Sequence, residues 1–364
     1  MTFYDYLEAK NDFITVEKLK KITEVIKKII NENVKVLVIH HYDLDGFGCK
    51  YVFKYLFTEL DAIDKLTFVK VNTKANDVED EVDFKDYDYI FVLDCTYDNT
   101  KDNSINESKT ILIDHHNSAY DLINNTNYIT TCITKNKAIS ASAMCFLILS
   151  QVIYKMSEYI EQFSDEVLYL IHTINGWDTY QWKNLDVNSE DNKTYDLAIG
   201  YKYSEAMNKT FLLFGLEGFE LFVENAISDS AFTSYQLPYL CTHFATIMDK
   251  QLDNKFKEFK DTVIYLTTEY KEEELSIALG FAPIEYTSLF SDRIRKETSN
   301  IDIFVCVDFA KLKVGLRTTN TKIDLSEIAT GLGGGGHTAA AGFNIDISYH
   351  TDIADSLNQW ISEL

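Results

Sequence analysis

Proline is almost absent from this chain, which has two prolines in 364 residues. A proline-rich linker between domains is therefore excluded. Long apolar stretches are also missing, because no uninterrupted run approaches the roughly 20 residues that cross a bilayer. The first residues have no basic start followed by an apolar core, so neither a membrane span nor a signal peptide is expected.

Cysteine pairs of the C-x-x-C type are missing, and the six cysteines are scattered along the chain. Most of them lie in largely apolar surroundings, which indicates a reduced and buried role. A cytoplasmic location is the expected consequence. The chain has no convincing Ser-His-Asp or Cys-His signature, so a serine or cysteine nucleophile is not expected.

Basic residues are few, since 34 lysines and arginines stand against 57 aspartates and glutamates, for a formal net charge of −23. Tight, non-specific binding of long nucleic acid needs a basic surface that releases counterions. The chain has no such surface overall, although a local basic patch is compatible with its composition. The charge balance therefore disfavours a long duplex as a ligand.

The composition is that of an ordinary globular protein, 46% hydrophobic and 25% charged, and the length suits two domains. In the N-terminal half, short apolar strands alternate with helices. This alternation indicates a parallel sheet, with ligand sites outside the carboxyl ends of its strands. The predicted elements are a helix over 17–31, a strand over 34–39, a helix over 47–60, strands over 66–71, 89–93 and 111–113, and a helix over 139–156.

The rest of the chain changes character twice. After an N-terminal domain of residues 1–185, a polar stretch followed by helical patterns predicts a helical linker or insert over 186–260. Strand signals then resume and predict a second, smaller α/β domain over 261–364. Its predicted elements are strands over 263–266, 275–279, 301–307 and 313–317 and helices over 288–297, 323–331 and 351–363.

Four acidic and histidine clusters stand out in the first domain, three of them at the ends of predicted strands. They are His41-Tyr42-Asp43-Leu44-Asp45-Gly46, Asp94, Asp114-His115-His116, and Asp178 in Asn175-Gly176-Trp177-Asp178. Carboxylates and imidazoles gathered at strand ends suit two closely spaced divalent cations, because each cation needs several donors and the cluster is too charged without metal. Mixed donors of this kind suit Mn²⁺ best, with Mg²⁺, Co²⁺ or Zn²⁺ as substitutes.

The first cluster has alternative interpretations. Asp43 and Asp45 are two residues apart, so in an extended loop both side chains would point to one side. A turn explains the Asp-x-Asp-Gly pattern equally well. His40 and His41 are adjacent, and either is a candidate ligand.

The remaining clusters differ in how strongly they indicate a metal site. Asp94 taken alone is explained by a strand end or a helix cap. Two adjacent histidines after a buried strand, His115 and His116, have little structural rationale. His172 lies in a helical stretch ahead of Asp178, and we interpret it as a packed histidine rather than a ligand.

A glycine run, Gly333-Gly334-Gly335-Gly336-His337, lies far downstream between a predicted helix and an apolar segment. Glycine runs often form flexible linkers. Without β-carbons, however, the backbone can approach a ligand closely and turn N–H groups toward phosphate oxygens. Arg317 is either a surface arginine on an edge strand or a planar fork for phosphate.

The four clusters and the glycine-histidine motif, in this order over roughly residues 34–343, resemble the DHH phosphoesterase superfamily, in the branch with a C-terminal DHHA1 domain. The resemblance implies an α/β protein with an N-terminal parallel-sheet DHH domain, a helical linker and a smaller C-terminal α/β DHHA1 domain. It also implies an active site in the cleft between the domains, where two divalent cations, Mn²⁺ in the first place, activate a hydroxide.

The resemblance further implies roles for single residues. The metal ligands would be His41, Asp43 and Asp94 at one site and Asp45, Asp94, His115 and Asp178 at the other, with Asp94 bridging. The motif spacing favours His41 over His40. His116 would lie beside the substrate phosphate, and Asp114 would fix the His115 tautomer by a hydrogen bond. The substrate-binding residues would be Arg317, Gly334, Gly335, Gly336 and His337.

The implied activity is that of a metal-dependent phosphodiesterase which hydrolyses short single-stranded oligonucleotides to mononucleotides, similar to the bacterial short-oligoribonuclease (nanoRNase) members. A linear- or cyclic-dinucleotide phosphodiesterase is a close variant. RecJ-type single-strand exonucleases share the motifs but usually need a larger body and a nucleic-acid-binding module. The non-enzymatic alternative is a nucleotide-binding sensor or scaffold, against which the intact metal ligands argue. RNA or DNA preference and a homodimer are left open.

Overall fold

A computed structural model describes residues 14–72, 74–78, 82–97, 107–116, 119, 129–131, 139–155, 164–179, 195–228, 236–270, 273–298 and 300–345. The helix predicted over 351–363 lies outside these residues. The chain divides into two compact units. The first consists of residues 1–115 and 119–248, and the second of residues 116–118 and 249–364.

A parallel sheet of five strands, in the order β2-β1-β3-β4-β5, lies at the centre of the first unit. The predicted parallel sheet is confirmed. The strands are β1 (Val36–His41), β2 (Leu66–Val71), β3 (Tyr89–Leu93), β4 (Thr110–Ile113) and β5 (Ile129–Thr131). Strand β5 was not predicted, because Ile129 is the only apolar residue among its three and no apolar run results.

Alternate residues of β1, β2, β3 and β4 contribute to two cores, one on each face of the sheet. Val38 and Phe91 belong to the larger core, whereas Ile39 and Val92 belong to the smaller one. Because both faces of β1, β3 and β4 are buried, these three strands read in the sequence as continuous apolar runs rather than as alternating patterns.

Helices of the first unit contribute to the larger core. They are α1 (Val16–Asn31), α2 (Leu44–Glu59), α3 (Ala141–Lys155), α4 (Asp165–Asp178), α5 (Tyr195–Ser228) and α6 (Gln236–Lys260), of which α6 continues into the second unit. Helix α1 begins after Thr15, whose hydroxyl accepts the Lys18 N–H. Its predicted apolar face is buried at Leu19, Ile22 and Ile26.

Helix α5 belongs to the first unit and lies within the range 186–260, whose role as a helical linker or insert stays a prediction. Phe219 is buried against Phe47 with ring centroids 5.1 Å apart. Ion pairs connect the same helix to α2, among them Lys50 with Glu220 at 2.6 Å. The helix is interrupted at Gly215, whose φ of 68° suits glycine.

The second unit contains a six-stranded sheet in the order β10-β11-β9-β8-β7-β6, in which only β7 and β8 are parallel. Its strands are β6 (Ile264–Tyr270), β7 (Glu273–Phe281), β8 (Ile303–Asp308), β9 (Lys313–Thr318), β10 (Gly335–Gly336) and β11 (Ala340–Asn344). Its helices, besides the end of α6, are α7 (Thr287–Glu297) and α8 (Leu325–Gly331). The predicted second α/β domain is confirmed. Strands β10 and β11 were missed, because glycine and alanine are depleted in strands generally.

Within the described part of the chain, no helix combines the length and the apolarity that crossing a bilayer requires.

Candidate metal centre

The acidic and histidine clusters of the first unit meet at the carboxyl end of the parallel sheet. His41 is the last residue of β1, Asp94 directly follows β3, and His115 lies just beyond β4. Strand β2, which follows β1 along the chain, lies on one side of β1 in the sheet, and β3 lies on the other side of β1. Such a reversal of strand order opens a crevice at the strand ends, which is where open α/β sheets bind ligands.

One cluster contains His41, Asp43 and Asp94, whose potential ligand atoms all lie within 4.8 Å of one another. His41 Nδ1 is 2.8 Å from Asp43 Oδ2 and 3.9 Å from Asp94 Oδ2. His41 Nε2 faces the Asn72 carbonyl oxygen at 3.4 Å. A proton on Nε2 would leave the Nδ1 lone pair directed at the carboxylates, as a metal ligand requires.

The start of this cluster corrects one expectation from the sequence. Asp43 and Asp45 do not share an extended loop, because helix α2 begins at Leu44. Asp43 is the N-cap and accepts the Gly46 N–H at 2.9 Å, while Asp45 lies in the first helical turn. Aspartate is a preferred N-cap. Glycine is needed at 46, since a β-carbon there would lie 2.1 Å from the His41 carbonyl oxygen.

The second cluster surrounds His115, which is buried at 8% relative exposure. Its Nε2 atom lies 3.2 Å from Asp178 Oδ2, 3.4 Å from Asp94 Oδ1 and 3.7 Å from Asp45 Oδ2. Asp45 comes from α2 and Asp178 is the last residue of α4. Two helices and one strand end therefore supply the carboxylates around one imidazole nitrogen.

Asp94 belongs to both clusters. Its Oδ1 faces His115 and its Oδ2 faces His41. The backbone is held in the left-handed region with φ of 57°, and the N–H donates to the Ile113 carbonyl at 2.9 Å. Aspartate tolerates this conformation better than most residues, and such backbone outliers concentrate at functional sites.

The electrostatics of the centre favour bound cations. Burial, together with the charges of Asp45, Asp43, Asp178 and Asp114, raises the pKa of the Asp94 carboxyl well above its usual range. Burial also acts to raise the pKa of Asp43, but His41 and the Gly46 N–H outweigh it and hold that pKa below its usual range. Imidazole nitrogens with carboxylate oxygens are a donor set that divalent cations such as Mn²⁺ accept, so the residues fit such ions.

Two further residues predicted from the sequence lie close by. Asp114 is fully buried, and its carboxylate lies within 4.8 Å of that of Asp94. Its hydrogen bond to His115 stays a prediction. His40 is buried, with Nδ1 at 3.0 Å from the His41 carbonyl oxygen, and is part of neither cluster. Between the two adjacent histidines, the geometry therefore favours His41 as the ligand.

His172 on α4 is 1% exposed and lies outside both clusters, in agreement with a packed histidine. Burial lowers its pKa from 6.5 to about 3. Between these two values the unfolded chain binds a proton that the folded protein does not. The free energy of unfolding should therefore fall on acidification below pH 6.5, by about 1.4 kcal/mol per pH unit for this residue.

We expect His172→Gln to remove that contribution. Urea unfolding in EDTA from pH 7 to pH 4 should show a shallower loss of stability in the variant than in the wild type. His243→Gln is the control, because the His243 side chain is exposed on α6. Parallel stability curves for wild type and His172→Gln would contradict the assignment.

In the second unit, Arg317 lies on β9, which pairs with β8 on one side and β11 on the other. The alternative of a surface arginine on an edge strand is therefore wrong. Its Nε donates to Ser288 Oγ at 3.0 Å and its Nη1 to the Leu316 carbonyl at 2.8 Å. These bonds use two of the five guanidinium N–H groups and fix the direction of the side chain.

The glycine run is an ordered hairpin strand and not a flexible linker, since β10 pairs with β11. The Gly334 N–H donates to the Ala329 carbonyl at 2.7 Å, and a β-carbon at 334 would lie 2.1 Å from the Gly342 carbonyl oxygen. Gly336 has φ of 134°. Close backbone packing thus requires these glycines, and the Gly334 N–H is already engaged.

His337 follows the hairpin strand directly. Within the second unit its ring stacks on that of His116, with centroids 4.8 Å apart and planes at 21°. The two histidines that the sequence associates with the substrate phosphate are therefore neighbours.

Sequence reasoning missed the groups that hold Asp45. Its carboxylate accepts hydrogen bonds from the N–H groups of Ala141 and Ser142 and from the Ser142 hydroxyl. The available signal was a pair of serines at the start of a predicted apolar helix, where side chains of this type often cap.

Known proteins share this organisation. The DHH family N-terminal domain matches residues 35–173, and the DHHA1 domain matches residues 287–363. The oligoribonuclease NrnB of Bacillus subtilis (strain 168) is 24% identical over 332 residues, which cover 87% of this chain and 74% of that protein.

Two solved structures share the fold. RecJ from Thermus thermophilus in complex with Mn²⁺ aligns with a TM-score of 0.59 and 13% identity over 98% of this chain, which spans about half (55%) of that protein. An exonuclease RecJ bound to manganese aligns with a TM-score of 0.54 and 14% identity, covering 96% of this chain and 94% of the other. The two family matches together cover more than half of the chain and occur in the order of the motifs. The chain therefore belongs to the DHH family of phosphoesterases with a C-terminal DHHA1 domain.

Proposed function

We propose that this protein is a two-metal phosphodiesterase that hydrolyses short single-stranded oligonucleotides to mononucleotides. The observation that carries the proposal is the placement of Asp94, which turns one carboxylate oxygen toward each of two neighbouring donor clusters. A carboxylate with that arrangement suits a bridge between two cations. The protein would bind two divalent ions, with Mn²⁺ as the first candidate.

Each of the two clusters would bind one divalent cation. His41, Asp43 and Asp94 would hold one cation, and Asp45, Asp94, His115 and Asp178 the other. Bound cations would supply a hydroxide nucleophile at neutral pH and stabilise charge on the attacking and leaving oxygens.

Other residues of the chain would bind the phosphate. His116 and His337 would donate to its oxygens, and Arg317 would present the N–H groups that it does not use internally. Asp114 would orient His115. That these groups and the metal ligands meet in a cleft between the two domains stays a prediction.

The net charge of the protein and its similarity to a known oligoribonuclease both support short substrates. A net charge of −23 leaves the protein without an overall basic surface for long strands. NrnB, which is similar over most of this chain, is named an oligoribonuclease. A cytoplasmic location and a homodimer stay predictions.

The test is a panel of labelled substrates with Mn²⁺, from dinucleotides to decanucleotides and long single strands, with cyclic dinucleotides, adenosine 3′,5′-bisphosphate and pyrophosphate alongside. We expect kcat/KM to be highest for the shortest linear chains and to fall as length grows. EDTA should abolish turnover and Mn²⁺ should restore it.

Other outcomes would select another function. Equal efficiency on long strands with processive products would indicate a RecJ-type exonuclease. Cleavage confined to linear or cyclic dinucleotides would indicate a dinucleotide phosphodiesterase. Mn²⁺ binding without cleavage of any substrate would favour a nucleotide-binding sensor or scaffold.

A further inference from the structure

The Asp45 carboxylate is held by the first turn of helix α3. Its Oδ2 accepts the Ala141 N–H at 2.8 Å, and its Oδ1 accepts the Ser142 N–H at 3.1 Å and the Ser142 hydroxyl at 2.5 Å. Asp45 is 2% exposed, and Ser142 is fully buried. Water is therefore largely excluded from these bonds, and the helix N-terminus supplies the compensating partial positive charge.

This arrangement limits what Asp45 can offer a cation. A carboxylate has about four lone-pair sites. The two bonds to Ser142 occupy those of Oδ1, and the bond from Ala141 occupies one of those of Oδ2. The site that remains belongs to Oδ2, which is also the oxygen that lies 3.7 Å from His115 Nε2.

The hydrogen bonds continue to helix α4. Ser142 Oγ lies 3.0 Å from Ser140 Oγ, and the Ser140 N–H donates to Asn175 Oδ1 at 2.9 Å. Asn175 precedes Asp178 by three residues, so both lie on neighbouring positions of one helix surface. The hydrogen bonds of Asp45 therefore extend to the helix that carries Asp178.

The Ser142 hydroxyl reaches Asp45 because helices α2 and α3 approach each other closely. A β-carbon on Gly48, one turn after Asp45 on α2, would lie 2.7 Å from Ser142 Cβ. Glycine at this position lets α2 and the start of α3 come close enough for the Ser142 hydroxyl to reach the carboxylate.

We propose that Ser142 is a positioning residue, which fixes Asp45 as a ligand through Oδ2 alone at the cation site that Asp45 shares with His115 and Asp178. The proposal rests on the two-metal function proposed above. Without the Ser142 hydroxyl, Oδ1 would regain a lone pair, and only the backbone N–H groups of Ala141 and Ser142 would hold the carboxylate. The cation would then meet a less preorganised donor set.

The experiment is a calorimetric Mn²⁺ titration of the full-length metal-free protein, comparing wild type with Ser142→Ala. We expect two Mn²⁺ per chain in both, with the dissociation constant of one site raised about 10- to 100-fold in the variant and the other unchanged. Asp178→Asn should weaken the same site and thereby identify it. The control is Ser150→Ala, on the same helix, whose hydroxyl donates only to the Phe146 carbonyl.

The proposal is overturned if Ser142→Ala binds both ions with wild-type constants, or if it weakens both sites equally, as a general structural loss would. A wild-type protein that binds fewer than two Mn²⁺ would overturn it as well. Failure of the substrate panel is a separate result. Two tight Mn²⁺ sites without cleavage would contradict the hydrolase function and leave the effect of Ser142 measurable.

Discussion

Asp94→Asn is expected to lower kcat by about a thousandfold or more, which corresponds to the several kcal/mol of transition-state stabilisation that a lost cation site removes. Asparagine keeps the size of the side chain and tolerates the left-handed backbone at this position. It replaces one of the two oxygens by an NH₂ group, which cannot bridge two cations. The measurement is single-turnover cleavage of a dinucleotide at saturating Mn²⁺.

The same substitution should act on stability in the opposite direction. Because burial and four neighbouring carboxylates raise the pKa of Asp94, ionisation of this carboxyl is unfavourable in the metal-free fold, and asparagine does not ionise. We therefore expect a higher Tm for Asp94→Asn than for wild type in EDTA, and a smaller rise in Tm on adding Mn²⁺.

Asp88→Asn is the matched control for both measurements, because Asp88 stands at the opposite end of β3 and its side chain accepts only the Lys35 N–H among the described contacts. It should keep wild-type turnover. Full activity of Asp94→Asn at saturating Mn²⁺ would show that no bridging carboxylate is needed and would refute the two-metal assignment.

Arg317→Lys should lower kcat/KM for dinucleotides by about 10- to 100-fold, because an ammonium group cannot reproduce two parallel charge-assisted hydrogen bonds to phosphate. The positive charge is retained, so the loss would report the geometry of the fork. Ser288 and the Leu316 carbonyl already fix its direction. Steady-state kinetics with and without a 5′-phosphate on the substrate would measure the effect.

Metal content distinguishes substrate binding from metal binding in this variant. Arg317→Lys should still hold two Mn²⁺ per chain by elemental analysis. Arg293→Lys is the control, since Arg293 is an arginine of the same unit that pairs with Asp253 at 2.7 Å. Loss of a cation in Arg317→Lys, or an equal loss of kcat/KM in both lysine variants, would contradict a role of Arg317 in substrate binding.

Much of the fold and of the candidate metal centre was predictable from the sequence for one physical reason. Strands buried on both faces are continuous apolar runs, and the carboxyl ends of parallel strands converge at one edge of the sheet. Residues within two positions of the end of such runs, such as Asp94 and His115, can therefore be assigned to one place without knowing the full structure.

What the sequence could not show depends on contacts between distant segments. The bond between Ser142 and Asp45 joins residues 97 positions apart, and no local pattern reports it. The helix start at Leu44 was obscured because Asp-x-Asp-Gly also suits a turn. Strand β10 consists of two glycines, which adopt extended pairing only because β11 lies beside them.

The two carboxylates Asp45 and Asp94 should follow different fates if a descendant of this protein lost its catalysis. Asp45 caps a buried helix, so an expressed descendant without catalysis would still be selected to keep an acceptor there for folding. We expect Asp94, whose pKa is raised by burial and by its neighbouring carboxylates, to disfavour the metal-free fold, so drift would replace it readily. Among diverged descendants, the residue at position 94 should therefore distinguish catalytically active proteins from inactive ones better than the residue at position 45.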